Sequence, residues 1–286
     1  MNLIIGVLSA SRPISWVNTA FPYGAAYLLA GGTLDWLFWV GTVFFLIPYN
    51  IAMYGINDVF DYESDIRNPR KGGVEGAVLP RQLHAPLLWA AALSTLPFLV
   101  VLYTAGTWTS ALWLSVAMAA VIAYSAPRLR FKERPGLDSA TSATHFVAPA
   151  LVGATIDHGE VHPYFWIGAA AFFLWGMASH ALGAVQDVRA DRAGQLSSIA
   201  TALGARVTTR LAAGTYLAAA LLIFLLPAPA WVVGLAGLGY VANTLRFWNI
   251  TDATCESVNR AWRVFLWLNY LVGAVVTVAL VSVYLE

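Results

Sequence analysis

The segment Asn57-Asp58-Val59-Phe60-Asp61-Tyr62-Glu63-Ser64-Asp65 gathers carboxylates at a regular spacing. If a helix continues through it, Asn57, Asp61 and Asp65 recur every four residues, and Asp58, Asp61 and Asp65 every three or four. One amide and three carboxylates then share a face. Like charges about 6 Å apart repel by roughly 2–3 kcal/mol at an effective dielectric near 20, so such a face needs a cation. Mg2+ suits it, because it takes hard oxygen ligands and keeps positions open for a substrate phosphate. A second segment, Gln186-Asp187-Val188-Arg189-Ala190-Asp191, repeats the i, i+4 carboxylate spacing. Alone, Asp187 and Asp191 read equally well as a solvated charged turn; as an echo of the first segment they make a second cation-binding face. Carboxylates that hold Mg2+, and Mg2+ with Arg or Lys that holds a diphosphate, would stabilise the charge developing on a leaving diphosphate. An apolar, aromatic-rich surround would take a hydrocarbon chain, exclude water and stabilise an allylic cation.

The elements that position these residues are apolar. Of 286 residues, 59% are hydrophobic and 11% charged, against about 25% charged in soluble domains. The apolar residues fall in runs near the twenty needed to cross a bilayer as a helix. Nine spans are expected, near residues 14–30, 36–56, 86–103, 107–124, 139–156, 164–185, 207–226, 231–247 and 262–284. The chain is therefore expected to be an all-α polytopic membrane protein, with Trp and Tyr near span ends forming interfacial belts.

All 16 Lys and Arg residues lie before span one, around the loops after spans two, four and six, or around the loop after span eight. The alternate loops carry acids only, such as Asp35, Asp157 and Glu160. The positive-inside rule places the N-terminus in the cytoplasm and the C-terminus outside. The acidic ends of spans two and six then point to the same side. That echo hints at a parallel duplication, spans one to four and five to eight, inside a single domain covering 1–286. A net charge of +1 offers nothing to a nucleic acid, and the lone Cys255 excludes an intrachain disulfide and a multi-cysteine zinc site. Residues 1–10 lack the basic start of a cleavable signal peptide.

Several stretches carry a resemblance. The first acidic segment, from Asn57 to Asp65, looks like the first signature of the UbiA-type intramembrane prenyltransferases, and Asp187-x-x-x-Asp191 like their second. Tyr124-Ser125-Ala126-Pro127-Arg128-Leu129-Arg130-Phe131-Lys132 resembles their basic loop, and Arg12-Pro13 with Asn18 their entry helix. Residues 54–65, 68–77 and 246–253 are similar to the lycopene elongases of actinobacteria. The resemblance implies a nine-helix bundle, two Mg2+ ions and an isoprenyl diphosphate held between the motifs. It assigns Asn57, Asp61 and Asp65 to one metal site and Asp187 and Asp191 to the other, with the adjacent Asp58 also counted as a metal ligand and the four aspartates Asp61, Asp65, Asp187 and Asp191 as catalytic. Arg67, Lys71, Arg128, Arg130 and Lys132 are the diphosphate candidates, with Tyr124, Asn57 and Asn18 counted as substrate-binding. Family members often carry an adjacent Lys-Arg pair in the basic loop, whereas Arg128 and Arg130 are separated here.

The implied donor is dimethylallyl diphosphate and the implied acceptor lycopene. The resemblance implies C45 and C50 carotenoid products of the flavuxanthin type, made in the cell membrane, with a carotenoid cyclase or other pathway enzyme as the implied partner. A quinone or other aromatic acceptor is the alternative within the class. A transporter would also explain polar residues in spans, but the acids lie at one membrane face and the span interiors hold almost no charge. A scaffold subunit would not need paired motifs. His145, His180 and Asn269 lie within spans; each either bonds between helices or borders the acceptor channel. Trp175, Phe172 and Tyr54 read as packing or as a lining for the cation. Gly55, Gly176 and Gly183 read as close helix approaches, and Glu63 and Glu75 as solvated or salt-bridged.

Overall fold

A computed structural model describes residues 3–66, 78–157 and 161–285, and shows helices with no strand among them. The helices are α1 (Leu3–Ser11), α2 (Val17–Leu29), α3 (Trp36–Leu46), α4 (Pro48–Phe60), α5 (Tyr62–Asp65), α6 (His84–Ala105), α7 (Trp108–Ser125), α8 (Leu137–Thr155), α9 (Pro163–Val185), α10 (Val188–Ala193), α11 (Ile199–Leu203), α12 (Ala205–Ile223), α13 (Trp231–Leu245) and α14 (Asn259–Leu285). Each of the nine expected spans coincides with a helix or with a pair of them. Five stretches among the described residues are long and apolar enough to cross a membrane: Trp36–Phe60, Arg81–Ala105, Trp108–Ser125, Pro163–Val185 and Asp252–Tyr284. The chain divides into two compact units, residues 1–130 with 145–161, and residues 131–144 with 162–286.

Unit one is built on aromatic packing. Tyr23, Phe44, Phe45 and Tyr49 are wholly buried, with Phe45 5.3 Å from Tyr23 and 5.1 Å from Tyr49 between ring centroids. Gly41 leaves the space that the Tyr23 ring fills, and any Cβ there would collide with it. The Tyr23 hydroxyl donates to the Leu37 carbonyl at 3.0 Å, so the buried phenol is satisfied.

The second expected span is two helices. Pro48 lacks an N–H and breaks the ladder after Leu46, which strands carbonyls at membrane depth. Asn50 and Thr19 answer them. Thr19 Oγ1 donates to the Phe45 carbonyl at 2.6 Å, and Asn50 Nδ2 donates to the Phe45 and Leu46 carbonyls at 2.9 and 3.1 Å. Both side chains are fully buried. At the far end, the Asp35 carboxylate caps α3 by accepting from the Leu37 and Phe38 amides at 2.9 and 3.0 Å. The Phe38 amide above all holds Asp35 below the usual carboxylate range.

α1 is an addition to the sequence-based expectation. Its mean composition is apolar, yet at 9 residues it is too short to span. It buries only Gly6, Ala10 and Ser11, and its remaining side chains are wholly or partly exposed.

Unit two has its own aromatic core. Tyr216 and Tyr240 stack at 5.3 Å, Trp262 and Phe265 at 4.8 Å, and Trp175 packs edge-on to Tyr240 at 5.8 Å. Trp175 is thus part of the packed core, and Phe172 stacks on it at 5.6 Å. Gly176 allows the close approach expected of it: its Cβ, if present, would lie 3.0 Å from that of Ala143.

Candidate active site

Each unit carries one acidic corner. In unit one, α4 ends at Phe60 and the chain bends at Asp61, with φ −98° and ψ −3°. The hydrogen-bond ladder survives the bend: the Asp61 amide donates to the Asn57 carbonyl and the Asp65 amide to the Asp61 carbonyl, both at 2.9 Å. Asn57, Asp61 and Asp65 therefore keep the shared face that their spacing predicts. Asp61 and Asp65 are 6% and 7% exposed, burial that carboxylates tolerate only with compensation. The Ser125 hydroxyl donates to Asn57 Oδ1 at 2.7 Å and so ties the end of α7, where the basic loop begins, to this corner.

Asp58, counted among the metal ligands on sequence grounds, is ion-paired. Its Oδ1 accepts from Arg12 Nη2 at 2.9 Å, and its side chain is wholly buried. The Arg12 guanidinium also lies 4.2 Å above the centre of the Tyr54 ring, which turns Tyr54 to holding the arginine. Sequence reasoning missed this pair because 46 residues separate its members. No periodicity announces it, and the one available signal was a lone arginine just ahead of a largely apolar span.

In unit two, α9 ends at Val185 and the chain bends at Asp187, with φ −99° and ψ −4°. The Asp191 amide donates to the Asp187 carbonyl at 2.8 Å. Both carboxylates are half-buried. The corner is framed by the loop after α13. Asn259 Nδ2 donates to Gln186 Oε1 at 2.8 Å. Arg189 pairs with Glu256 at 3.2 Å and Arg192 with Asp252 Oδ2 at 2.6 Å. Asp252 Oδ1 accepts from the Ala205 amide at 2.7 Å, which joins the start of α12 to the same carboxylate. Cys255 is buried here, its thiol 3.9 Å from the Gln186 carbonyl.

The basic loop divides between the units. Tyr124 and Ser125 close α7, Arg128 and Arg130 follow in unit one, and Lys132 falls in unit two. Arg128 and Arg130 have left-handed backbones, φ 73° and 40°, as does Arg12 at φ 49°. That conformation costs an L-residue with a long side chain roughly 1–2 kcal/mol, and strain of this kind concentrates at functional sites. The Tyr124 ring meets His145 edge-on at 5.3 Å. Asn18 is exposed on α2. Arg67 and Lys71 lie outside the described residues, as does the 68–77 stretch.

The donor set fits Mg2+. Asn57, Asp61 and Asp65 offer hard oxygens on one face, and so do Asp187 and Asp191. Among the described residues no three His, Cys, Asp or Glu side chains form a ready-made cage. Mg2+ is commonly held in that way, by one or two carboxylates with water and substrate phosphate completing the octahedron.

Comparison with known proteins supports the same assignment. The model of the UbiA prenyltransferase family matches residues 19–280. A lycopene elongase/hydratase of Corynebacterium glutamicum is 66% identical over 278 residues, which cover 97% of each chain. A C(50) beta-cyclic carotenoids biosynthesis protein of Dietzia is 54% identical over 96% of this chain and 64% of its own. Among solved structures, a UbiA homologue from Archaeoglobus fulgidus bound to DMAPP and Mg2+ matches with a TM-score of 0.64 at 19% identity, covering 93% of this chain and 98% of the other. With a matching family model over most of its length and paired acidic corners on helix ends, the chain belongs to the UbiA prenyltransferase family.

Proposed function

We propose that this protein is a lycopene elongase, which transfers C5 units from dimethylallyl diphosphate to the ends of lycopene and yields C45 and C50 carotenoids. The identity of 66% to a lycopene elongase/hydratase across 97% of both chains carries the choice of acceptor. The donor and the metal follow from the homologue bound to DMAPP and Mg2+ together with the acidic corners.

In this reading Asn57, Asp61 and Asp65 hold one Mg2+, and Asp187 and Asp191 a second. Asp58, adjacent to the first site, is held by Arg12 at 2.9 Å. The bound metal would neutralise the diphosphate and favour its departure. Arg128, Arg130 and Lys132, with Arg67 and Lys71, bind the diphosphate oxygens as charge-assisted donors. Asn18 and Tyr124 contact the donor. The carbon–oxygen bond breaks first, leaving diphosphate and the dimethylallyl cation. The terminal double bond of lycopene then attacks that cation, its electron pair forms the new carbon–carbon bond, and a tertiary cation remains on the acceptor. Loss of a proton gives an alkene; addition of water gives an alcohol.

The chain is read as one prenyltransferase domain with nine spans in the cell membrane, N-terminus cytoplasmic and C-terminus external. The family match from 19 to 280 runs through both compact units. The matching bends at Asp61 and Asp187 support a duplication of spans one to four in spans five to eight. A carotenoid cyclase or another enzyme acting on the product is the partner class this implies. The Dietzia relative, named for cyclic C(50) carotenoids, extends beyond the matched segment.

Expression in a lycopene-accumulating bacterium, with mass analysis of the pigments, tests the reading. A gain of one or two C5 units, absent in Asp61→Asn, is the expected result. Lycopene unchanged in the presence of verified protein and ample donor would overturn the acceptor assignment and direct attention to aromatic acceptors.

A further inference from the structure

One end of unit two holds more arginines than acids to balance them. α12 begins at Ala205, α13 ends at Leu245 and α14 begins at Asn259. Side chains from the start of α12 tie these ends together. Arg206 Nε donates to the Ile250 carbonyl at 3.4 Å, and Arg210 Nε to the Trp248 carbonyl at 3.2 Å. The acids of the loop between α13 and α14, Asp252 and Glu256, are already engaged by Arg192 and Arg189. Arg246, Arg260 and Arg263 are exposed, and among the described residues no ion pair involves them. Like charges gathered at one end of a bundle call for a counter-charge from outside the chain.

Aromatic side chains lie beside these cations. On α14, Arg260, Arg263, Trp267 and Tyr270 recur every three or four residues and so form one stripe, while the buried Ala261 and Phe265 face the core. Trp267 is 76% exposed, with the Tyr270 ring 6.1 Å away. At the end of α13, the exposed Trp248 lies under the Arg210 guanidinium, 4.7 Å from its ring centre. Cations at the end of a span with Trp and Tyr just inside match the layers of a bilayer, phosphate outermost and the amphipathic zone below. The positive-inside rule asks only that charge lie on one side. It asks neither for guanidinium groups without carboxylates nor for an aromatic stripe in line with them.

We propose that this end of unit two binds the headgroup of an anionic phospholipid. Arg246, Arg260 and Arg263 take the phosphate as charge-assisted donors, and Trp248 and Trp267 seat the glycerol and upper acyl chain. Charge complementarity and continuity with the exposed apolar side of α14 favour a lipid over a free anion, which would leave the aromatic stripe without a role. The same loop frames the second acidic corner through the Arg189–Glu256, Arg192–Asp252 and Asn259–Gln186 bonds. Bound lipid therefore steadies the segment beside Asp187 and Asp191. The inference is independent of the acceptor and of the donor.

Native mass spectrometry of the full-length protein tests it, with the protein released from micelles holding equal amounts of phosphatidylglycerol and phosphatidylcholine. Wild type should retain phosphatidylglycerol in preference. Combined Arg246→Gln, Arg260→Gln and Arg263→Gln should lower that retention about fivefold for each arginine removed, with phosphatidylcholine unchanged. Arg81→Gln, an exposed arginine of unit one paired with Glu63, should leave it as in wild type. If the triple variant fails to accumulate, Arg260→Gln alone decides, by the same fivefold loss. Equal retention of the two lipids by wild type, undiminished phosphatidylglycerol in the arginine variants, or an equal loss in Arg81→Gln overturns the inference. Displacement of the lipid by millimolar inorganic phosphate overturns it too, in favour of a free-anion site.

Discussion

The two acidic corners share a backbone and differ in what surrounds it. Asp61 and Asp187 have the same dihedral angles to within a degree, each follows a long helix opened by a proline, and each is followed four residues on by a second aspartate. Their settings diverge. The first corner buries Asp61 and Asp65 and pairs its extra carboxylate, Asp58, with Arg12. The second leaves its aspartates half-exposed and is framed by side-chain bonds from the loop after α13. The backbone is thus what the chemistry repeats, and the surroundings are what each unit supplies from its own sequence.

The largest test of that comparison is charge removal at the bend. Asp61→Asn and Asp187→Asn should each lower pyrophosphate release by about 10²–10³-fold or more, given the worth of one group aimed at developing charge. An Asp187→Asn enzyme with near-normal turnover would break the equivalence of the corners.

Next comes Arg12→Ala, which leaves Asp58 buried without its cation and should cost about 3–5 kcal/mol in thermal unfolding of the purified protein. The double variant Arg12→Met with Asp58→Leu should recover most of that loss. Failure to recover would mean that the ion pair itself, and not only the avoidance of an unpaired buried charge, stabilises this part of the fold.

Asp252→Ala probes the second corner. It removes the partner of Arg192 and of the Ala205 amide, so the Mg2+ concentration for half-maximal rate should rise a few-fold, about 1 kcal/mol for the lost bonds. The same substitution should leave the heat stability of the Arg12–Asp58 region unaltered. Smallest is Ser125→Ala, which frees Asn57 Oδ1 and should lower the rate by about fivefold or less. An effect as large as that of Asp61→Asn would make Ser125 a substrate-binding residue in its own right.

Periodicity and charge made the helices legible. Every expected span meets a helix, because runs of apolar residues in lipid have one economical way to satisfy their backbone. The spacing at Asn57, Asp61 and Asp65 was equally legible, since the hydrogen-bond ladder continues through the bend. What escaped was non-local or depended on exceptions. The break at Pro48 was readable only with the knowledge that Asn50 and Thr19 stand ready to take up the carbonyls. α1 buries only three small residues and so leaves little pattern. The Arg12–Asp58 and Ser125–Asn57 bonds join residues 46 and 68 apart, a distance that no periodicity reports. Lys132 and Arg130 are neighbours in sequence, yet the compact units divide between them.

Both corners sit where a helix ends, and this sets a bias before any ligand arrives. The carbonyl end of a helix carries about half a negative charge, which disfavours each nearby carboxylate by about 0.3–1 kcal/mol. Asp61 and Asp187 directly follow the carbonyl ends of α4 and α9, the least hospitable place for an acid, while Asp65 and Asp191 fall in the first turns of α5 and α10. A fold that places acids there keeps a standing electrostatic debt which a divalent cation discharges. Heat resistance of the membrane protein should consequently climb with Mg2+ concentration even without a prenyl donor, and cation binding becomes part of how the polypeptide is held together.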